Sequence, residues 1–219
     1  MRTRTGAIML TLLAVAGCES NLPSAKVEKA PSQMEAPATD EQLKRLLASN
    51  MLDARLNTPI TVTSPAFKDG GDIPFENSDL GQKISPALKI EGVPPATRSI
   101  VIIVEDPDAP SPRPFDHWLL YDLPSTTTSL REGVPGLPIL AGLGFAKQGV
   151  NSFGSTGYFG PHPPSDHGAH RYYFQVFAMD GLLDTVKPNA KKADLIAAMR
   201  GRVLAKGVLM GHFDNNTGR

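Results

Sequence analysis

The chain has 219 residues and carries 22 Lys and Arg against 22 Asp and Glu, so its formal net charge at pH 7 is zero. A neutral chain lacks the positive field that recruits nucleic acid, and we expect no nucleic acid among its partners. The length allows one ordinary domain with a leader and a tail. Twenty Gly and twenty Pro favour a fold rich in strands and loops over a helical bundle.

The first residues have the pattern of a signal peptide. A basic start is followed by the apolar stretch Ala7–Ala16, which is too short to span a membrane. The residues just before Cys18 are similar to the lipobox of bacterial lipoproteins, in which the cysteine is lipidated, and an ordinary A-x-A cleavage site at 14–16 is the alternative. We expect a lipoprotein signal peptide over 1–17, lipidation at Cys18, and a lipid-anchored location facing the periplasm, on the inner or outer membrane of a bacterial envelope.

Two segments of different character precede the main domain. Residues 18–38 are rich in Ser, Pro, Lys and Glu without apolar periodicity, which predicts a disordered tether. Thr39 and Gln42 fit a capping box, and apolar residues then follow at helical spacing, so a short packed helix and linker are expected over 39–56. The remaining residues, 57–219, are expected to form the domain.

The strand pattern is strongest at two places. The β-branched run Ile100–Val104 predicts a strand buried on both faces near the middle of a sheet. Residues 170–178 alternate between the two faces of a second strand. The architecture is therefore expected to be a mostly β single domain with few helices.

Weaker patterns complete the prediction along the chain. A strand is expected over 60–64, a turn over 70–74 and an edge strand over 85–90. Residues 125–148 show little strand signal, and one strong helix is expected over 191–206.

Polar residues at the ends of the strongest strands are candidates for a site. Asp106 and Asp108 follow the first strand on a proline-rich loop, and His117 and His170 each open a later strand. These four side chains have the types that bind a divalent metal, although an Asp beside Pro is also common in a simple turn, and such histidines are often structural. Should the strands that begin at the two histidines be neighbours, both imidazoles lie at one end of the sheet.

The segment 149–164 adds a second polar loop. Its Gly- and Pro-rich end at 160–164 cannot be helical, and glycines there would let a ligand approach the backbone. Backbone N–H groups and a histidinium would suit a phosphate or a carboxylate. Nucleophilic catalysis is not indicated, because Ser155 lacks the G-x-S-x-G elbow and Cys18 belongs to the leader.

Three blocks of sequence resemble the phosphatidylethanolamine-binding protein family, in its bacterial Raf-kinase-inhibitor-like branch. They are residues 64–88, residues 106–118, and residues 157–172 with their G-x-x-P-P and H-R-Y motifs. The resemblance implies a Greek-key β-sandwich with a few peripheral helices and, without a cofactor, a small cavity that binds phosphate-type anions and phospholipid head groups. Carried over by motif, the cavity walls are Asp106, Pro107, Asp108, Pro110, His117, Gly160, Pro161, Pro163, Pro164, His170 and Tyr172.

The family pattern is not matched everywhere. His162 takes a position where the bacterial branch often has Cys, Ser152 one where it often has Asp, and Phe115 one where relatives often have Trp. Because aspartates repel anions, we expect His117 and His170 to be at least partly protonated and oriented by the carboxylates, or an aspartate to meet the ammonium of an ethanolamine head group.

We therefore predict an exported lipoprotein that binds a small phosphorylated or anionic ligand in a pocket lined by His, Asp and Pro. The first alternative is an interaction protein that inhibits a protease or a signalling partner. The second is a metal-dependent hydrolase built on Asp106, Asp108, His117 and His170.

Overall fold

The computed structural model describes residues 39–216, so the predicted signal peptide, the tether and Cys18 lie outside the described residues. Three α-helices and ten strands make up the described part, with short 3-10 turns at Phe75–Asn77 and Ala141–Leu143. The helices are α1 (Asp40–Arg45), α2 (Ala48–Met51) and α3 (Lys192–Met199). The strands are β1 (Thr61–Thr63), β2 (Gly71–Asp72), β3 (Leu88–Glu91), β4 (Ser99–Asp106), β5 (Phe115–Pro124), β6 (Ser129–Leu130), β7 (Ile139–Leu140), β8 (Ala146–Gln148), β9 (His170–Met179) and β10 (Val203–Phe213).

The strands form two sheets packed as a sandwich. The larger sheet has the order β2-β10-β9-β4-β5-β8-β7, and the smaller has the order β1-β3-β6. In the larger sheet β4, β5 and β8 are successive antiparallel neighbours, and β9 returns to lie beside β4. That order is a Greek key, so the mostly β, Greek-key prediction is confirmed.

The large sheet is buried on both faces, which explains the continuous apolar run of its central strand. One face packs against the small sheet through residues such as Ile102 and Ile90. The other face is covered by α2 and α3, where Val101 and Ile103 contact Leu195. All eight residues of β4 are buried, as the run Ile100–Val104 predicts.

The C-terminal helix is shorter than the sequence pattern predicts. The expected helix over 191–206 is wrong in its C-terminal part: α3 ends at Met199. Gly201 then adopts a positive φ of 69°, and Val203 opens the eleven-residue strand β10. The same apolar residues are also compatible with a strand, so local spacing does not decide the conformation. The pairing of β10 with β9 over ten residues decides it.

Three weaker expectations also need correction. The predicted edge strand at 85–90 is instead the central strand of the small sheet, since β3 pairs with both β1 and β6. The predicted turn at 70–74 contains β2, which pairs in parallel with β10. The stretch 125–148 contains the short strands β6, β7 and β8. Each of these strands has two to four residues, which is too short for alternation to be visible in the sequence.

Residues 47–52 are the part of the N-terminal segment that packs onto the large sheet, whereas α1 buries none of its residues. The predicted capping box is present, with Thr39 and Gln42 bonding each other reciprocally. The helix breaks after Arg45, and α2 places Ala48 and Leu52 in the core beneath α3. The N–H of Ala48 donates a 2.7 Å hydrogen bond to the Oε2 atom of buried Glu105. Within 39–216 no helix is both long enough and apolar enough to cross a bilayer.

Candidate functional site

The site lies at the edge of the large sheet where β4 ends and where β5 and β9 begin. Both of those strands run antiparallel to β4, so their first residues reach the same edge as Asp106. The strands that begin near His117 and His170 are thus not direct neighbours, because β4 separates them. Their imidazoles nevertheless line one cavity of about 560 Å³ together with Asp106.

His170 is held by the carboxylate at the end of β4. Its Nδ1 atom lies 2.8 Å from the Oδ2 atom of Asp106, and both side chains are almost fully buried. Because a carboxylate oxygen only accepts, Nδ1 carries the hydrogen and Nε2 is the ring nitrogen left for a ligand. The Oδ1 atom of Asp106 accepts the backbone N–H groups of Asp108 and Ala109 at 2.7 and 3.1 Å, which fixes the carboxylate.

His117 is oriented by backbone and aromatic rings and has no carboxylate partner. Its Nδ1–H donates to the carbonyl of Phe159 at 2.7 Å, and its ring packs edge-on against Tyr172 at 5.0 Å. Burial lowers the pKa of His117, although the Asp106 carboxylate and the carbonyls of Phe159 and Gly160 oppose this. The lowered pKa favours the uncharged ring at neutral pH. The bond to the Phe159 carbonyl corrects the expectation that a carboxylate orients this ring.

An aromatic wall faces the two imidazoles. Phe153 stacks on Phe159 with ring centroids 4.7 Å apart, and Phe115 packs on His117 at 4.8 Å. Phe153 is 69% exposed, so it lies at the mouth of the cavity. Such a wall suits the methylene groups and the ammonium group of an organic cation.

Five of the eleven residues carried over from the family motif line this cavity. They are Asp106, Pro110, His117, Pro164 and His170. Seven lining residues were absent from the prediction: Ala109, Ser111, Phe115, Ser152, Phe153, Phe159 and His162. The period of two along β5 would have found Phe115, because it shares a face with His117. Nothing in the sequence pattern distinguishes Phe153 or Phe159 from core residues.

Asp108 lies outside the cavity and holds the start of β9. Its carboxylate accepts the backbone N–H and the Nε–H of Arg171, each at 2.8 Å, and pairs with the guanidinium as well. Burial alone would raise the pKa of Asp108, but the hydrogen bonds from Arg171 keep that pKa below its ordinary value. The Asp108 carboxylate is thus committed to Arg171.

The other five predicted residues do not line the cavity and are buried close to residues that do. Gly160 and Pro161 are buried against residues 77–79, where the Pro161 carbonyl accepts the N–H of Asp79. A Cβ atom at Gly160 would lie 2.5 Å from the backbone of Asp79, so only glycine fits there. Tyr172 is buried against His117 and, within residues 39–216, its hydroxyl makes no hydrogen bond. Pro107 and Pro163 are buried.

The four side chains proposed for a metal do not assemble into a metal site. Within the described part of the chain, no three His, Cys, Asp or Glu side chains are grouped so that they could hold an ion. The reason is geometric, because Asp108 faces Arg171 while His117 bonds the Phe159 carbonyl. The metal-dependent hydrolase built on Asp106, Asp108, His117 and His170 is therefore not supported by the arrangement of these residues.

A charged cluster lies beside the site. Glu105 is fully buried, and its carboxylate accepts hydrogen bonds from Lys192 at 2.5 Å and from Gln175 at 2.6 Å. Lys192 also lies 3.2 Å from Asp116 on the neighbouring strand. Burial raises the pKa of Asp116 to about 6, with the Lys192 charge opposing this and Glu105 adding to it. This cluster fixes α3 against the first residues of β5.

Fold and cavity together define the class: a β-sandwich with a cavity of small-molecule size at one end of its larger sheet. The model of the family described as phosphatidylethanolamine-binding protein matches residues 63–214. The chain therefore belongs to the phosphatidylethanolamine-binding protein family, as the motifs predict.

Relatives of known sequence and structure agree with this assignment. A UPF0098 protein of Aquifex aeolicus is 43% identical over 150 residues, which cover 68% of this chain and 85% of the relative. The crystal structure of a family homolog from Chlamydia trachomatis is 36% identical with a TM-score of 0.64, covering 73% of this chain and 99% of that one. The crystal structure of YbcL of E. coli is 29% identical with a TM-score of 0.65, and the match covers 71% of this chain and 98% of YbcL.

Proposed function

We propose that the protein binds a phosphorylated head group, as carried by a phospholipid or by a small phosphorylated compound, in the cavity formed by Asp106, His117 and His170. The observation that carries the proposal is that two imidazoles line one cavity and each has its Nδ1 atom bonded within the protein. The two Nε2 atoms are then available to donate to phosphate oxygens when the rings are protonated.

The aromatic wall supports an amine-bearing head group. Phe153, Phe159 and Phe115 offer ring faces close to the buried carboxylate of Asp106. An ammonium group is attracted to the aromatic faces, while the phosphate meets the imidazoles. This assigns the ammonium to the aromatic wall, because the Asp106 carboxylate already accepts from His170, Asp108 and Ala109, and Asp108 is paired with Arg171.

The direct test is calorimetric titration with glycerophosphoethanolamine, the water-soluble head group of the lipid. We expect binding by this compound and weaker binding by glycerol 3-phosphate, which lacks the ammonium. Ethanolamine alone is expected to bind weakest, since the phosphate contacts are missing. Equal and negligible heats for all three compounds at millimolar concentration would overturn the proposal.

The affinity for glycerophosphoethanolamine is expected to fall as the pH rises from about 5 to about 8. Burial lowers the pKa of free His117, so the uncharged ring must take up a proton to donate from Nε2 to the phosphate. A phosphodiester does not itself titrate in this range, so the protein alone sets the slope. Titrations at four pH values measure it, and an affinity constant across the range would remove the histidines from the binding role.

We further propose that the domain is exported and anchored by a lipid on Cys18, as the lipobox pattern suggests. Replacing Cys18 with Ala is expected to move the protein from the membrane fraction to the soluble periplasmic fraction of a bacterial host. Fractionation with an antibody against the domain measures this. A Cys18→Ala protein that stays with the membranes would contradict lipid anchoring at this residue.

A further inference from the structure

A second cavity of about 520 Å³ lies beside the first, and the two share Ser111 and Ser152 as lining residues. We call it the basic cavity. Its walls come from four parts of the chain: the N-terminal segment around α2, the β4–β5 loop with the start of β5, the segment at Ser152, and α3 with its flanking residues. The N-terminal wall, Leu46 and Met51, precedes the region that the family model matches.

Four cationic side chains line the basic cavity: Arg113, Lys191, Lys192 and Arg200. Lys192 is engaged by Glu105 and Asp116. Within residues 39–216, the other three make no ion pair with any carboxylate.

The charge balance of this cavity favours an anion. Setting the carboxylates of Glu105 and Asp116 against the four cations leaves two positive charges around one opening. Arg113, Lys191 and Arg200 are exposed cations, and an anion bound among them is attracted to all three. The surplus is local, because the chain as a whole is neutral.

Part of the lining of the basic cavity is apolar. Leu46, Met51, Pro114 and Ile196 line it and are less exposed than Arg113, Lys191 and Arg200. A cavity that combines exposed cations with more deeply placed aliphatic side chains fits an anion that carries a short hydrocarbon chain.

We propose that the basic cavity is a second ligand site, separate from the head-group cavity, that binds an amphiphilic anion: a phosphate or carboxylate with an alkyl chain. Arg113 and Arg200 hold the anionic group, and Leu46, Met51 and Ile196 contact the chain. The site does not depend on His117 or His170, so it stands whether or not the head-group cavity binds phosphoethanolamine.

The test uses hexyl phosphate, hexanoate and ethyl phosphate as probes in calorimetric titrations at pH 7.5. Binding of both hexyl phosphate and hexanoate supports the shared chemistry, and their relative affinities show whether phosphate or carboxylate is preferred. Ethyl phosphate is expected to bind at least about tenfold more weakly than hexyl phosphate, because it buries fewer methylene groups. Equal affinity for the two alkyl phosphates would contradict the role of the apolar lining.

The decisive variant is Arg113→Ala with Arg200→Ala, which removes two exposed cations and leaves the Glu105–Lys192 pair intact. Its affinity for hexyl phosphate is expected to fall about tenfold or more. The matched control is Arg98→Ala with Arg131→Ala, which removes two exposed cations elsewhere and is expected to change the affinity less than twofold.

One further variant separates this site from the head-group cavity. In His170→Ala the affinity for hexyl phosphate is expected to stay within about twofold of the original. If hexyl phosphate binding is lost in His170→Ala and kept in the Arg113/Arg200 variant, the anion binds in the head-group cavity and the proposal is wrong.

Discussion

Replacing Lys192 with Met is expected to lower the free energy of unfolding by about 3–5 kcal/mol. The side chain of Glu105 is fully buried, and Lys192 is the cation that neutralises it, at 2.5 Å. Methionine fills a similar volume but leaves the carboxylate uncompensated, and a buried charge without a partner is strongly unfavourable. Urea unfolding followed by circular dichroism measures the loss.

The control for this prediction removes both charges. In Glu105→Gln with Lys192→Met, the amide can still accept the N–H of Ala48 and the fully buried carboxylate is gone, so we expect most of the stability to return. A smaller loss remains, because Asp116 no longer has Lys192 beside it. The double variant should therefore be more stable than Lys192→Met alone. A double variant that is less stable than the single one would show that the pair is not the source of the loss.

Replacing His170 with Ala is expected to weaken glycerophosphoethanolamine binding about 100-fold or more at pH 6, equivalent to roughly 2.7 kcal/mol. The variant removes one phosphate partner and leaves the Oδ2 atom of Asp106 without its hydrogen bond, so that an unpaired carboxylate faces the anion. Calorimetry at pH 6 measures the effect, and a circular dichroism spectrum like that of the original protein shows that the fold is intact. Some loss of stability is expected, because the buried Asp106 carboxylate loses its partner.

Two variants control for this interpretation. His162→Ala removes another imidazole of the same cavity, but one that is paired with Asp79 at 3.0 Å, and is expected to change the affinity less than about threefold. Adding Asp106→Asn to His170→Ala removes the repelling charge and should recover part of the affinity. Equal losses in His162→Ala and His170→Ala would deny His170 a specific role.

The strongest strands of the fold could be predicted from the sequence because local pattern and long-range packing agree there. Residues 100–104 are β-branched and apolar, and β4 is buried on both faces because helices cover the side that the small sheet does not. In the strand that opens with His170, the sequence pattern assigns successive side chains to alternate faces over most of the strand's length.

The strand β10 could not be predicted, because the contacts that determine its conformation come from residues far away in sequence. Gly207 and Gly211 look like breaks in a strand, yet a Cβ atom at Gly207 would lie 2.0 Å from the carbonyl oxygen of Ile60. At Gly211 a Cβ atom would lie 2.6 Å from the side chain of Ile73. These close approaches between distant segments explain why glycine is needed at both positions, although glycine is unfavourable inside a strand when only the local sequence is considered.

The sequence placed five of the predicted residues around one cavity, but it did not give the partner of each side chain. Asp106 and Asp108 look equivalent in sequence, but the first meets His170 and the second meets Arg171. Only the pairing of β4 with β9 decides which carboxylate faces the cavity. In the same way, the backbone partner of His117 is Phe159, which lies 42 residues further along the chain.

The most direct test of the central claim is a ¹⁵N NMR titration of histidine-labelled protein with glycerophosphoethanolamine at pH 6. We expect the Nε2 resonances of His117 and His170 to shift together and to saturate with one dissociation constant, because both rings line one cavity. His212, which lies 3.2 Å from the Gly70 carbonyl and does not line this cavity, should not follow that curve. Shifts confined to other histidines, or separate dissociation constants for His117 and His170, would contradict a shared head-group site.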